Sequence, residues 1–185
     1  MEERVERRLA AILCADIVGY SRLMGADEEG TLSSLKAHRR ELIDPLIATH
    51  QGRIVKTTGD GFLIEFFSVV DAVRFAVVFM QGMTDRNADL PEDRRMRFRI
   101  GINLGDIIVD DADLFGDGVN VAARLEGLAE PGEIYVSSSV REQVGEKLPI
   151  SFVDRGEHHV KNIARAVRVY RIDTSASDPA APPST

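Results

Sequence analysis

Near its start the chain runs Leu9-Ala-Ala-Ile-Leu-Cys-Ala-Asp16, an apolar stretch closed by a carboxylate. A run that is apolar at every position does not suit a strand with one wet face, so it predicts a central strand buried on both sides, with Asp16 at its end. Between Asp27 and His50 the period changes. Leu32, Leu35, Leu42, Leu46 and Ile47 recur with charged residues between them, the stripe of one long helix, and Pro45 predicts a joint in it because proline lacks the N–H that the helical ladder needs. Gly52 ends that helix. Residues 53–57 and 62–66 then read as two strands joined by the tight hairpin Thr58-Gly-Asp-Gly61, with Asp60 at the tip.

Helical periodicity returns over 69–87, where Val73, Ala76, Val77, Met80 and Met83 or Thr84 form a core-facing stripe. A polar loop at 89–95 leads to strands at 96–104 and 106–109, parted at Gly105. A third amphipathic helix spans 117–128 on Val121, Ala122, Leu125 and Leu128 and is ended by Pro131-Gly132. A strand at 133–136, a short Ser-capped helix at 137–144 and strands at 150–154 and 167–172 complete the pattern. The order βαββαβ followed by αβαββ predicts an α+β fold: a ferredoxin-like core with an additional C-terminal section, its mostly antiparallel sheet flanked by helices. It forms one domain over 1–173. The Pro-, Ala- and Ser-rich segment 174–185 reads as a disordered tail or linker, which leaves room for a regulatory domain in a longer parent chain.

Composition narrows the function classes. The chain has 185 residues, 44% of them hydrophobic and 29% charged, which suits one globular domain with a substantial core. A net charge of -7 without a dense basic surface argues against nucleic-acid binding. Cys14, the single cysteine, has no partner for an internal disulfide and lies in the apolar run, where a buried inert thiol is expected. Residues 1–8 show no signal-peptide pattern and no apolar stretch reaches the length of about 18 residues that a bilayer requires. A cytoplasmic location without membrane insertion is the expectation.

Three segments carry candidate chemistry. Asp16 at a strand end and Asp60 at a hairpin tip become neighbours if their strands lie side by side. Paired carboxylates offer hard oxygen donors suited to Mg²⁺ or Mn²⁺, which keep water and take further ligands from substrate phosphates. Asp16-Ile-Val-Gly-Tyr-Ser is a strand-to-helix turn whose backbone N–H groups, at Ile17, Val18, Gly19 and Tyr20, can face a triphosphate. Lys56 lies four residues before Asp60. In the third segment, Asp113-Leu-Phe-Gly-Asp-Gly-Val-Asn120-Val-Ala-Ala-Arg124, Asn120 and Arg124 are four apart and project from one helix face.

Other readings of these residues fail on their own requirements. A calcium loop from Asp111 has Phe115 and Ala122 where ligands are needed, and neither a phosphate-cradling Gly-x-x-x-x-Gly-Lys loop nor a Gly-x-Gly-x-x-Gly turn is present. The adjacent His158 and His159 would point to opposite faces of a strand.

The three segments resemble the class III adenylyl/guanylyl cyclase catalytic domain, and the resemblance runs from about Leu9 to Ile172. Ala15-Asp16-Ile-Val-Gly-Tyr is similar to the family's first metal motif, Lys56-Thr-Thr-Gly-Asp60 to its substrate-selecting and second metal motif, and Gly116-Asp-Gly-Val-Asn120-Val-Ala-Ala-Arg124 to its transition-state motif. The resemblance implies conversion of ATP to 3′,5′-cyclic AMP and pyrophosphate with two divalent ions on Asp16, Asp60 and the Ile17 carbonyl. It further implies that Asn120 orients the ribose, that Arg124 meets the α-phosphate, and that Lys161 contacts the terminal phosphates, with Asn162 where the family usually has glycine. Lys56 as donor and Asp113 as acceptor complement adenine, whereas guanine reverses both edges. The family builds each site across a dimer, so a homodimer with interface sites is implied. Two rivals remain, separated by product analysis: a non-catalytic nucleotide-binding or dimerisation module of the same fold, and a two-metal phosphodiester hydrolase, which would commonly need more acidic or His ligands.

Overall fold

The structure, a computed structural model, describes residues 6–174. The expected tail therefore lies, Thr174 apart, outside the described residues. The opening apolar run forms β1 (Glu6–Ile17), followed by a short helix α1 (Tyr20–Ala26). The long helix expected from Asp27 is divided into α2 (Glu28–His38) and α3 (Asp44–Thr49) by a π-helical turn over Arg39–Ile43. Asp27 caps α2, its carboxylate accepting the Gly30 N–H at 3.0 Å. The joint thus precedes Pro45 instead of sitting on it: the Asp44 N–H reaches back five residues to the Arg39 carbonyl. Widening the ladder by one residue is the local answer to a coming residue that cannot donate.

The hairpin forms as expected from β2 (Gly52–Thr57) and β3 (Gly61–Phe66), and α4 occupies Val69–Asn87, its N-terminus capped by Ser68. The buried face of α4 is rotated from the expected stripe. Val69, Ala72, Phe75 and Phe79 join Val73, Ala76 and Met83 inside, Val77 and Met80 are half-buried, and Thr84 is exposed. Phe75 and Phe79 win because their larger apolar area gains more from leaving water than that of their neighbours.

Strands at 96–104 and 106–109 were expected to part at Gly105. They form one strand, β4 (Phe98–Asp110), which pairs with β1 along its whole length from Glu6↔Val109 to Ile17↔Phe98. The chain then turns through β5 (Asp113–Phe115), which folds back on β4, into α5 (Asp117–Leu128), β6 (Ile134–Ser137), α6 (Ser138–Val144), β7 (Ser151–His158) and β8 (Val167–Asp173). Ser137 stands at the start of α6 but does not cap it. Its hydroxyl instead donates to the Asn103 carboxamide oxygen at 2.6 Å.

The sheet runs β2-β3-β1-β4-β6-β8-β7, with β4 and β6 its parallel pair. Alternation along β1 divides the core. Leu13, Ala15 and Ile17 pack with Phe62, Ile64, Phe98 and Ile100 under α4 and α6, whereas Ala10 and Ile12 turn to the other face with Leu63, Ile107, Leu114 and Ala122 of α5. On that second face α5 lies directly against β4. A Cβ added at Gly101 would stand 2.3 Å from both the Ala122 carbonyl oxygen and the Glu126 nitrogen, so only glycine permits this approach. Among the described residues no helix is long and apolar enough to cross a membrane.

Candidate active site

Asp16 lies one residue from the end of β1, opposite Gly61 on one side and Arg99 on the other. The same alternation that buries Ile12 below α5 turns Asp16 to the α5 face. The hairpin tip is tied to this point, for the Ile17 N–H donates to the Asp60 carbonyl at 2.8 Å. A Cβ at Gly61 would meet the Ala15 carbonyl at 2.8 Å, so glycine is what lets the tip lie so close to β1. The two carboxylates expected to be neighbours are carried by adjoining strand ends.

The turn after β1 supplies fewer free amides than the sequence suggests. The Ile17 N–H is held by Asp60, and the Val18 N–H donates to the Arg97 carbonyl at 2.8 Å. Gly19, at φ 68 and ψ 30, then turns the chain into α1, which begins at Tyr20. N–H groups without partners inside the helix therefore begin at Gly19 and Tyr20.

Asp16 is already neutralised within the chain by a residue that the sequence did not single out. Arg99 donates from Nε to Asp16 Oδ1 at 2.8 Å and from Nη2 to Oδ2 at 3.2 Å. Its Nη1 reaches the Gly127 carbonyl at 3.2 Å, and its Nε lies 3.7 Å from Glu126 Oε2. Burial first, and the negative charge of Asp16 second, hold the Glu126 carboxyl well above the usual carboxylate range. Cys14, beneath this group, has its thiol pushed up to about 12, chiefly by burial and then by Glu126. This is the inert thiol expected.

Lys56 and Asp113 meet across 57 residues of chain, with Nζ 3.2 Å from Oδ1 and 3.4 Å from Oδ2. Lys56 also stands over the Phe115 ring, 5.5 Å from its centroid. The Leu114 N–H, donating to Asp113 Oδ1 at 2.7 Å, and then Lys56 hold the Asp113 carboxyl below its ordinary value.

Asn120 and Arg124 share one exposed face of α5, and among the described residues neither side chain has a hydrogen-bond or ion-pair partner. Arg124 lies two residues before Glu126, roughly 200° round the helix from it. Because Glu126 faces Asp16, Arg124 is directed away from the Asp16 of its own chain. Lys161 is exposed in the connection between β7 and β8, beyond β4, β6 and β8 from β1, and it is not brought to Asp16 within one chain. Asn162 beside it has φ 68, the left-handed conformation that glycine takes freely and asparagine tolerates. His158 bonds to the Arg155 carbonyl at 2.9 Å.

The donor chemistry at the end of β1 fits divalent cations. Asp16 and Asp60 supply carboxylate oxygens, and the Arg99 guanidinium stands against both Asp16 oxygens as a stand-in cation. Among the described residues no three Asp, Glu, His or Cys side chains form a ready cage, so further ligands would come from backbone, water or substrate.

Comparison with known proteins gives a concordant result. A family model described as the adenylate and guanylate cyclase catalytic domain matches residues 4–174. "Putative adenylate cyclase 3" of Rhizobium meliloti is 54% identical over 169 residues, which cover 91% of this chain and 29% of that protein. An adenylate cyclase of Streptomyces coelicolor is 33% identical over 143 residues, covering 77% of this chain and 36% of that one. The chain thus spans about a third of the length of these relatives. Among solved structures, an adenylate/guanylate cyclase/hydrolase from Silicibacter pomeroyi is 50% identical at a TM-score of 0.85, covering 91% of this chain and 98% of that one. The adenylyl cyclase CyaB from P. aeruginosa has a TM-score of 0.78 at 23% identity, over 92% of this chain and 96% of that one, a likeness of fold. Motif, fold and comparison agree: the chain belongs to the adenylate and guanylate cyclase catalytic domain family.

Proposed function

We propose that this domain is an adenylate cyclase, forming 3′,5′-cyclic AMP and pyrophosphate from ATP by attack of the ribose 3′-hydroxyl on the α-phosphate, at two equivalent sites in a homodimer. The observation that carries the choice of adenine is the Lys56–Asp113 pair: a donor and an acceptor held 3.2 Å apart above the β1 face, matching the N1 acceptor and 6-amino donor of that base. A guanine edge would meet a donor with a donor and an acceptor with an acceptor.

Asp16, Asp60 and the Ile17 carbonyl would hold two divalent ions, Mg²⁺ or Mn²⁺, which when bound lower the pKa of the 3′-hydroxyl and neutralise the departing pyrophosphate. The amides of Gly19 and Tyr20 face the phosphates. Arg124 stabilises charge gathering on the α-phosphate, Asn120 orients the ribose, and Lys161 meets the terminal phosphates. The outward direction of Arg124 supports a shared site, since its own chain offers it no metal-side partner. One chain's Asp16 and Asp60 then work with the Asn120, Arg124 and Lys161 of its partner, and a monomer is inactive. The greater length of the relatives supports a regulatory region outside this segment.

The test is incubation of the purified chain with ATP or GTP and Mg²⁺ or Mn²⁺, with chromatographic separation of the products. Cyclic AMP well ahead of cyclic GMP, abolished in Asp60→Ala, is the expected result. A nucleoside monophosphate, or no turnover by a dimeric sample, overturns it.

A further inference from the structure

We propose that Arg99 is a built-in competitor for the metal: its guanidinium holds Asp16 in the metal-free protein and must give up at least one Asp16 oxygen before a cation can settle there. This rests on reading Asp16 as a metal ligand, and adds a residue that sets how readily the site is loaded. An uncompensated charge held away from water is costly. The Asp16 side chain is 17% exposed, with Glu126 at 15% beside it. A carboxylate this far from water needs a counter-charge, and Arg99 supplies it through two nitrogens on two oxygens, at 2.8 and 3.2 Å. That grip covers the donor atoms that a bridging carboxylate would present to cations.

Release does not leave the arginine stranded. Its Nη1 is already anchored on the Gly127 carbonyl at 3.2 Å, and Glu126 Oε2 stands 3.7 Å from the nitrogen that holds Asp16. A small shift of the guanidinium therefore exchanges an Asp16 oxygen for the Glu126 carboxyl without breaking the anchor. Both alternative partners belong to α5, whereas Asp16 belongs to β1, so the exchange passes the charge from strand to helix. Arg99 acts on the metal through Asp16 and touches no reacting atom, which makes it a positioning residue with an inhibitory sign.

That sign separates this role from simple support. An arginine that only holds Asp16 in place would strengthen metal binding, and its loss would weaken it. A competitor does the reverse.

The experiment measures Mn²⁺ binding by titration calorimetry, without nucleotide, for the wild-type chain, Arg99→Gln, Arg99→Lys and Asp16→Asn, together with melting temperatures in a chelator and in Mn²⁺. Expected are roughly tenfold tighter Mn²⁺ binding in Arg99→Gln, as befits removal of an adjacent positive charge, a smaller gain in Arg99→Lys, and a lower melting temperature in chelator that Mn²⁺ raises further than in the wild type. Unchanged or weaker Mn²⁺ binding in a folded Arg99→Gln overturns the proposal, as does weaker binding in Arg99→Lys should the glutamine variant fail to fold. Asp16→Asn separates the two readings. If it abolishes binding while Arg99→Gln changes nothing, only the competitor role fails; if it binds Mn²⁺ like the wild type, the assignment of Asp16 as a ligand fails and the competitor role with it.

Discussion

The end of β1 and α5 lie against each other in one chain, yet the strand end and the exposed face of the helix are built on opposite principles. At the strand end the charge of Asp16 is answered internally, Asp16 by Arg99 and Arg99 by Gly127 and Glu126, while the backbone tie from Ile17 to the Asp60 carbonyl holds the hairpin tip in place. On α5, Asn120 and Arg124 are exposed and make no side-chain partner among the described residues. A region whose charges are satisfied is stable as it stands, whereas an exposed arginine and asparagine on a helix packed only by its other side are ready for something that arrives later. The contrast is what a site assembled from two copies requires: a half that keeps its shape alone, and a half whose partner is elsewhere.

The sharpest way to break this comparison is complementation. Asp60→Ala and Arg124→Ala should each lower turnover by about 10³-fold or more, in line with the loss of a charge-stabilising group. Mixed and allowed to exchange subunits, they should recover up to about a quarter of wild-type activity, since half of the dimers then carry one intact site. No recovery at any mixing ratio would place both halves in one chain. Next in size is base choice. Lys56→Glu should cut kcat/KM for ATP by about 100-fold while leaving the GTP rate equal or higher, measured as initial rates of each cyclic product.

Gly101→Ala tests how far the two regions share a wall. Its Cβ would press into the backbone at Ala122 and Glu126, so a loss of about 1–3 kcal/mol in chemical denaturation is expected, with activity falling more than stability alone accounts for. Unchanged activity would mean that the seat of α5 on β4 does not matter to the chemistry.

The smallest effect belongs to neither region and serves as a control. His38 is buried between α2 and α4, accepting from Arg86 Nε at 2.9 Å, and burial first and Arg86 second lower its pKa below 6.5. The unfolded chain therefore binds a proton that the folded chain refuses, so this contribution is present above pH 6.5 and is lost as pH falls from there toward the lower folded value. His38→Gln should flatten the stability difference between pH 7.5 and 5.5 by up to about 1 kcal/mol in urea denaturation and leave turnover at pH 7.5 unchanged.

Much of this was legible from the chain because the informative residues sit in regular local patterns. Residues 69–87 and 117–128 carry strong helical periodicity, and the helices occupy those spans. Asp16 and Asp60 could be placed at a strand end and a hairpin tip because both depend on near neighbours. Two misreadings, at Gly105 and Ser137, share one cause, that a long-range partner outvoted a local signal. Gly105 looks like a break, but pairing with Ala10 keeps it in β4. Ser137 looks like a cap, but the buried Asn103 takes its hydroxyl. The helix α1, seven residues with Leu23 alone buried, is too short to show a period. Arg99 was illegible because its partner lies 83 residues away, and only the β1–β4 register sets them opposite each other.

Lys56 and Asp113 are bonded to each other before any base arrives. On the adenine reading, recognition is then an exchange: the base inserts its edge into a bond that already exists, so two new contacts replace two old ones. The net gain in affinity is small by construction, but the loss on admitting a mismatched base is large, since both ends of a broken pair would be left facing like partners. On that reading the pair would act as a filter more than as a grip, rejecting the wrong purine while doing little to retain the right one.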